Sequence, residues 1–138
     1  MARLVYDGIL ESYPNLKVIT HHWGGVLPFL IGRIRKFFHT VEMRLKTWDS
    51  PLTRHPLDYF HMFYADTAVE GNTSAFMCGY DFFGANHILF GTDMPFDFQL
   101  GEFNIREAIR SVEEMDISDS EKKKIFEDNA RKLLRLPI

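Results

Sequence analysis

Two apolar runs that each end in polar side chains at a turn constrain this fold more than any other sequence feature. The first run, LKVITHHWGG, spans residues 16–25, and the second, HILFGTDMPF, spans residues 87–96. Runs rich in β-branched and aromatic residues that stop at glycine or proline are typical of buried strands. The first run ends in His21 and His22, and the second in Asp93. The sequence therefore predicts buried strands whose ends carry metal-binding or acid–base groups.

Helical patterns alternate with these strands, which predicts an α/β fold in one domain, 1–138. Apolar residues recur at helical spacing behind Pro28, and Ser118 and Glu121 have the spacing of a capping box. Strands are expected at 16–21, 61–68 and 87–93, and helices at 1–15, 26–45, 70–82, 102–115 and after 118, with a loop and a short helix between 47 and 60. Such alternation favours a parallel sheet with right-handed crossovers, in which ligands bind at the carboxyl ends of the strands.

Composition excludes several partners. The 138 residues carry a formal net charge of -3, which argues against nucleic acid or an anionic membrane surface as a partner. No apolar run reaches transmembrane length, and the first residues show no basic region followed by an apolar one. Cys78 is the single cysteine and is expected to be a buried structural thiol. These features predict a cytoplasmic protein.

Asp93 and His22 are the main candidates for chemistry. Asp93 follows a strand, where it either ligates a metal and accepts protons or simply caps the turn closed by Pro95. His22 is a candidate acid, base or ligand, although a histidine at a strand end is also a common structural residue. Alternation along the strand puts His21 and His22 on opposite sides, so one is expected to face the site and the other to pack against a helix.

The remaining candidates are weaker. Asp66 ends the middle strand in FYADTA, where it either holds a substrate, orients a histidine or caps the helix that follows. The other histidines have no potential ligand partners at a spacing typical of metal sites, and we expect them to be structural or surface residues. They are His39, His55, His61 and His87. HExxH, GxSxG, P-loop and GxGxxG patterns do not occur, which removes support for those enzyme classes.

Four segments in this order resemble the amidohydrolase-related (amidohydrolase 2) family. They are YPNLKVITHHWGGVLPFLIGRI, FYADTA, ILFGTDMPF and IFEDNARKLLRL. The family includes metal-dependent hydrolases similar to aminocarboxymuconate semialdehyde decarboxylase. The resemblance implies a (β/α)8 barrel of which this chain supplies the C-terminal half, with parallel strands six to eight and their flanking helices.

The resemblance also implies roles for individual residues. His22 matches the histidine that opens the family's HxGG turn, which polarises or protonates near the substrate, and Gly24 and Gly25 match the turn itself. Asp93 matches the aspartate after strand eight, a metal ligand and proton handler. Trp23 and Asp66 are the expected substrate contacts, and Asn129 matches a structural asparagine. The implied cofactor is a divalent metal, zinc or manganese, and the implied substrate is a small carboxylated aromatic or cyclic molecule.

The chain departs from the family in length and in ligands. A full barrel needs about 250 residues, and the family's metal ligands from strands one and five have no counterpart in these 138 residues. We therefore expect a homo-oligomer, or association with a missing N-terminal half, because half a barrel leaves strand edges and an apolar face to be covered. Hydrolase and lyase activity remain open alternatives, as does a non-catalytic barrel fragment that serves as an interaction module.

Overall fold

The computed structural model describes residues 1–41 and 49–137 of the chain. Short helices precede and separate three strands, and further helices close the chain. In chain order the elements are α1 (Ala2–Tyr6), α2 (Ile9–Ser12), β1 (Ile19–Thr20), a 3-10 turn (His22–Gly24), α3 (Leu27–His39), α4 (Pro56–Phe60), β2 (Tyr64–Asp66), α5 (Thr73–Phe83), a 3-10 turn (Ala85–His87), β3 (Ile88–Leu89), α6 (Glu102–Glu113), α7 (Asp119–Lys123), a π turn (Lys124–Asp128) and α8 (Asn129–Leu134).

The strands of the described chain form one parallel sheet in the order β1-β2-β3. Ile19 pairs with Tyr64, and Ala65 pairs with Ile88 on the other side of β2. Since the strands are parallel, their carboxyl ends lie at one edge of the sheet. The predicted α/β class and parallel sheet are confirmed.

The strands are shorter than predicted, and their hydrogen bonds explain why. Regular pairing covers only two or three residues of each predicted strand. Beyond β3, the N–H of Phe90 donates to the carbonyl of Ile125 in the π turn, so this residue has left the ladder. The edge strands β1 and β3 each have two paired residues. The outer edges of the sheet are therefore short.

Two helices are interrupted where a single helix was predicted. The helix expected over 1–15 breaks at Gly8, whose φ of 72° is left-handed and ends the α-helical geometry. The predicted capping box is confirmed, since Ser118 and Glu121 bond reciprocally at the start of α7, but the last helix includes a π turn. The helix predicted over 26–45 is observed as α3, and residues 42–45 lie outside the described residues.

The core is aromatic, as the high phenylalanine content indicates. Tyr59, Phe60, Phe63 and Phe76 are fully buried and pack with Ile88 of β3. Burying side chains of this size contributes on the order of 2 kcal/mol each. The core thus lies between the sheet and the helices and holds the strand ends in place.

Several large apolar side chains remain on the surface. Beyond β3, four of them follow one another in a loop that we call the apolar loop: Met94, Phe96, Phe98 and Leu100. A contiguous exposed apolar segment of this kind is typical of a surface that another chain covers. None of the described helices is long and apolar enough to cross a bilayer.

Candidate active site

The turn after β1 holds three consecutive residues in left-handed backbone conformations. The φ angles are 53° at His22, 52° at Trp23 and 75° at Gly24. Glycine adopts this geometry freely, whereas each side-chain-bearing residue costs about 1–2 kcal/mol. Burial of Trp23 offsets this strain, because its side chain is 2% exposed and its ring lies 5.0 Å from that of Phe76. The buried indole anchors the turn while His22 stays on the surface.

Asp66, at the end of β2, joins the two histidines of the turn. Its Oδ1 accepts hydrogen bonds from the backbone N–H of His22 at 2.7 Å and of Ala68 at 3.2 Å. Its Oδ2 lies 3.1 Å from Nδ1 of His21. The bond to Ala68 is local, but Asp66 does not cap the following helix as the sequence allowed, because Asn72 caps α5 by accepting from the N–H of Ala75. The bond to His22 adds a link between β1 and β2 that the sequence did not predict.

The predicted separation of His21 and His22 was wrong. The His21 side chain is 82% exposed rather than packed against a helix, and the two imidazole rings lie 5.9 Å apart. The left-handed turn at His22 ends the strand alternation on which the prediction relied. In the same turn, the Nδ1 atom of His22 lies 2.6 Å from the carbonyl oxygen of Ala68.

Asp93, after β3, has an exposed side chain and a left-handed backbone with φ of 54°. Within residues 1–41 and 49–137, its carboxylate has no hydrogen-bond or ion-pair partner. The turn is capped by neighbours instead, since Thr92 Oγ1 accepts from the N–H of Met94. The structure thus leaves the Asp93 carboxylate open to a ligand.

Asp97, in the loop after Asp93, binds backbone N–H groups at the start of α6. Its carboxylate accepts hydrogen bonds from the N–H groups of Gln99 and Gly101, which precede α6, and of Asn104 in the first turn of α6. Desolvation alone would raise the pKa of Asp97, but these backbone donors together hold that pKa below its usual value. Sequence reasoning missed this residue, although an aspartate shortly before a helix is a usable signal.

The three strand ends are also tied together through β2. The Thr67 hydroxyl donates to the carbonyl of Gly91 at 2.8 Å and accepts from the N–H of Gly91 at 3.0 Å. Gly91 packs so closely on Asp66 that a Cβ there would lie 3.0 Å from the Asp66 Cβ. Because β2 lies between β1 and β3, the carboxyl ends of these two outer strands are about 10 Å apart. A small ligand fits between groups at these ends, which do not meet directly.

A cavity of about 420 Å³ adjoins His22 between α3 and α5. Its lining is mainly apolar and includes Trp23, Phe29, Val69 and Cys78, with Asn72 as a polar group. The sequence predicted a buried thiol at Cys78, but its side chain is only half-buried in the structure. Because the Trp23 side chain is otherwise buried, a ligand can contact only the part of its ring that lines this cavity.

The other histidines have structural contacts. His61 Nδ1 lies 3.0 Å from the carbonyl of Phe82, and His87 stacks on Tyr64 with ring centroids 4.6 Å apart. Burial lowers the pKa of His87. Both precede their strands, at the end of the sheet opposite His22 and Asp93. His55 caps α4 by accepting from the N–H of Leu57.

The residues present do not form a metal centre by themselves. Among residues 1–41 and 49–137, no group of three or more His, Cys, Asp or Glu side chains is arranged to hold a metal. Asp93 and His22 are suitable donor types, but protein metal sites of this kind use about three protein ligands. A metal bound at these strand ends needs further ligands beyond this set of described residues.

Sequence comparison identifies the chain's relatives. The family model described as amidohydrolase (Amidohydro_2) matches residues 1–136. The chain is 35% identical to the γ-resorcylate decarboxylase of Polaromonas sp. (strain JS666), covering 97% of this chain and 39% of the relative. It is 32% identical to the 2-amino-3-carboxymuconate-6-semialdehyde decarboxylase of Dictyostelium discoideum, covering 96% of this chain and 35% of the relative. The chain thus spans less than two fifths of the length of these relatives.

Structural comparison agrees. A crystal structure of dihydroxybenzoic acid decarboxylase from Polaromonas sp. (strain JS666) superposes with a TM-score of 0.79 at 35% identity. The match covers 97% of this chain and 38% of that chain. That structure contains manganese and the inhibitor 2-nitroresorcinol. The resemblance noted from the sequence motifs and the predicted fold class are both confirmed.

Proposed function

The chain belongs to the amidohydrolase family, and from that membership we propose that its strand ends form part of the active site of a decarboxylase for small aromatic carboxylates. The relatives at 35% and 32% identity are both named as decarboxylases, which favours lyase over hydrolase activity. Because the chain spans 39% of the first of these relatives, the rest of the site comes from residues outside this sequence. Residues 1–138 act as a single partial barrel domain.

One observation carries the proposal: His22 and Asp93 lie in the segments that follow the two outer strands of one parallel sheet, and both side chains are exposed. Ligands bind at this edge in parallel α/β folds. The cavity of about 420 Å³ beside His22 has an apolar lining suited to an aromatic ring. The geometry therefore supports a small, partly apolar substrate with a charged group.

Aromatic decarboxylation breaks the bond between the ring and the carboxylate. The electron pair stays on the ring carbon, that carbon takes up a proton, and carbon dioxide leaves. His22 is the proposed proton carrier or electrostatic stabiliser, since imidazole titrates near neutral pH. The Asp93 carboxylate would bind the metal and would help to pass on the proton that the ring carbon takes up. Trp23 is proposed to contact the substrate through the part of its ring that lines the cavity. Asp66 is proposed to contact the substrate through Oδ2, because His21, the protein partner of this oxygen, is exposed.

The proposed cofactor is a divalent metal, with manganese or zinc as candidates. Manganese is supported by its presence in the related crystal structure. Asp93 is the only ligand that we assign to this chain, because the described residues do not complete a metal site. The single cysteine supports a reducing, cytoplasmic setting.

The proposed partner is a second copy of the chain, in a homo-oligomer, or a missing N-terminal half that would complete the barrel. The apolar loop supports this, since Phe96 is 80% and Leu100 82% exposed. Covering such side chains contributes roughly 25 cal/mol per Å² of apolar surface removed from water.

A chimera tests the proposed function. Residues 1–136 would replace the matching segment of the Polaromonas γ-resorcylate decarboxylase, and release of carbon dioxide from γ-resorcylate would be measured with added manganese. We expect a manganese-loaded, active chimera. His22→Asn and Asp93→Asn should each lower kcat by about 100-fold or more, as expected for loss of a catalytic group. Only Asp93→Asn should also reduce the manganese content.

His61→Gln is the matched control, because His61 lies at the opposite end of the sheet and its ring contacts the Phe82 carbonyl. That variant should retain activity. A folded chimera that binds manganese yet leaves γ-resorcylate and other aromatic carboxylates intact would contradict the proposal. Equal activity in the His22→Asn chimera would remove His22 from the proposed mechanism.

A second candidate is a non-catalytic interaction module. It is favoured by the lack of a metal-binding group of side chains within the described residues and by the exposed apolar loop. Elemental analysis of the metal content across a size-exclusion peak distinguishes the enzyme from the interaction module. About one metal ion per chain in an oligomer supports the enzyme, and a metal-free oligomer supports the module.

A further inference from the structure

We propose that Asp66 is a positioning residue that, together with the Ala68 carbonyl, fixes the orientation and tautomer of the His22 imidazole so that Nε2 is the working atom. This inference rests on the proposed role of His22. It assigns Asp66 a function through Oδ1 that is separate from any substrate contact through Oδ2.

The backbone of His22 needs an external anchor. Its φ of 53° is unfavourable for a side-chain-bearing residue, and Trp23 follows with a similar angle. Asp66 Oδ1 accepts the His22 N–H at 2.7 Å, and a charged acceptor makes a stronger hydrogen bond than a neutral one. The same oxygen accepts the N–H of Ala68 at 3.2 Å. Asp66 thereby holds the two backbone segments that carry the His22 ring and its partner.

The position of Ala68 decides the tautomer. A carbonyl oxygen only accepts hydrogen bonds, so the Nδ1 atom of His22, 2.6 Å away, must carry the proton. In the neutral ring, Nε2 then has a free lone pair for a proton or a metal. A free histidine prefers the opposite tautomer, with the proton on Nε2. The Ala68 contact therefore reverses the intrinsic tautomer preference of the imidazole, and Asp66 holds Ala68 in the position that this contact requires.

Asp66 is itself held from the other side. A Cβ at Gly91 would lie 3.0 Å from the Asp66 Cβ, so the end of β3 packs directly against this side chain. Neighbouring Thr67 bonds Gly91 in both directions. Asp66 thus has little freedom to move, as a positioning residue requires. His21, on Oδ2, is exposed and contributes less to this rigidity.

Nitrogen-15 NMR of the full 138-residue chain tests the inference without any enzyme assay. Long-range proton–nitrogen spectra would be recorded at about pH 8.5, where an ordinary imidazole is neutral. We expect His22 to show a protonated Nδ1 and an unprotonated Nε2. In Asp66→Ala the two nitrogen shifts should move towards averaged values. Asp66→Asn should restore the original pattern, because its amide oxygen can accept the same two N–H bonds.

His21→Ala is the matched control, since it removes the partner of Oδ2 and leaves Oδ1 untouched; its His22 signals should match the wild type. A wild-type His22 protonated mainly on Nε2 would overturn the proposal, whether or not any variant folds. An unchanged His22 pattern in folded Asp66→Ala would also overturn it. An inactive chimera with the expected tautomer would instead count against the proposed function alone.

Discussion

Trp23 anchors the strained turn because its indole packs directly on the backbone of α5 at Gly79. A Cβ at Gly79 would overlap with this ring. The turn that presents His22 therefore depends on a glycine more than fifty residues later in the chain. Single residues far apart in sequence thus control the geometry of the candidate site.

Gly79→Ala should destabilise the protein by about 2 kcal/mol. Alanine favours a helix over glycine by roughly 1 kcal/mol, but the overlap with Trp23 forces the core to move at a larger cost. Urea unfolding monitored by tryptophan fluorescence would measure the change in unfolding free energy.

Gly32→Ala provides the control within a helix. Nothing lies within 4 Å of a Cβ at Gly32, so only the helix preference acts, and stability should rise by up to ~1 kcal/mol. If Gly79→Ala were stabilising to the same degree, the close packing of Trp23 on Gly79 would be contradicted.

Glu121 should contribute to the acid stability of the protein. Its carboxylate accepts from the Ser118 and Tyr80 hydroxyls, which lower the pKa of Glu121 to about 2 from 4.5. A lowered carboxyl pKa stabilises the folded state above the unfolded value, and this contribution is lost as pH falls from about 4.5 through about 2. In Glu121→Gln, the free energy of unfolding should therefore decrease less than in the wild type as the pH falls through this interval.

Urea midpoints measured at a series of pH values would check this. Glu102→Gln, an exposed carboxylate in the first turn of α6, should leave the shape of the acid profile unchanged. A Glu121→Gln profile parallel to that of the wild type would show that the capping-box carboxylate has no such role.

At the scale of elements, side chains continue the sheet where the regular ladder stops. The Thr67 hydroxyl bonds both the N–H and the carbonyl of Gly91, and Asp66 performs a similar task towards His22. The sequence predicted which segments are strands and helices, because apolar periodicity and capping residues are local signals. Strand lengths and these cross-links depend on distant partners, which local patterns do not encode.

Thr67→Val should lower the unfolding free energy by about 2 kcal/mol. Valine keeps the shape of this fully buried side chain but leaves two backbone groups of Gly91 without their partner, and each unsatisfied buried group costs about 1–3 kcal/mol. Chemical denaturation would measure the loss, and hydrogen exchange at Gly91 should become faster.

Thr40→Val is a suitable control, because the Thr40 hydroxyl donates to an exposed carbonyl of Lys36 at the end of α3. The free energy of unfolding of this variant should stay within ~0.5 kcal/mol of that of the wild type. Equal effects of the two substitutions would mean that the link between β2 and β3 adds nothing to stability.

At the scale of the whole molecule, the exposed apolar surface beyond β3 supports our proposal that the chain associates. The apolar loop follows β3 directly, next to Asp93. We expect light scattering to give a mass of at least twice the chain mass of 16.2 kDa. Phe96→Ser with Leu100→Ser should shift the mass towards that of one chain, since both side chains are largely exposed.

Tyr13→Ser is the control for this prediction, because Tyr13 is exposed and follows α2, before β1. It should keep the mass of the wild type. A chain that is monomeric at micromolar concentration would contradict association through the apolar loop.

The sequence by itself determined the α/β class, the order of elements, the family and the two main candidates, His22 and Asp93. These follow from local periodicity and from short motifs, which are readable along the chain. Only the tertiary structure decided that His21 and His22 share Asp66, that Ala68 contacts the His22 ring, and that Asp97 accepts the N–H of Asn104 in the first turn of α6. The physical reason is that hydrogen bonds and left-handed turns at strand ends depend on neighbouring strands, which are distant in sequence and adjacent only after folding.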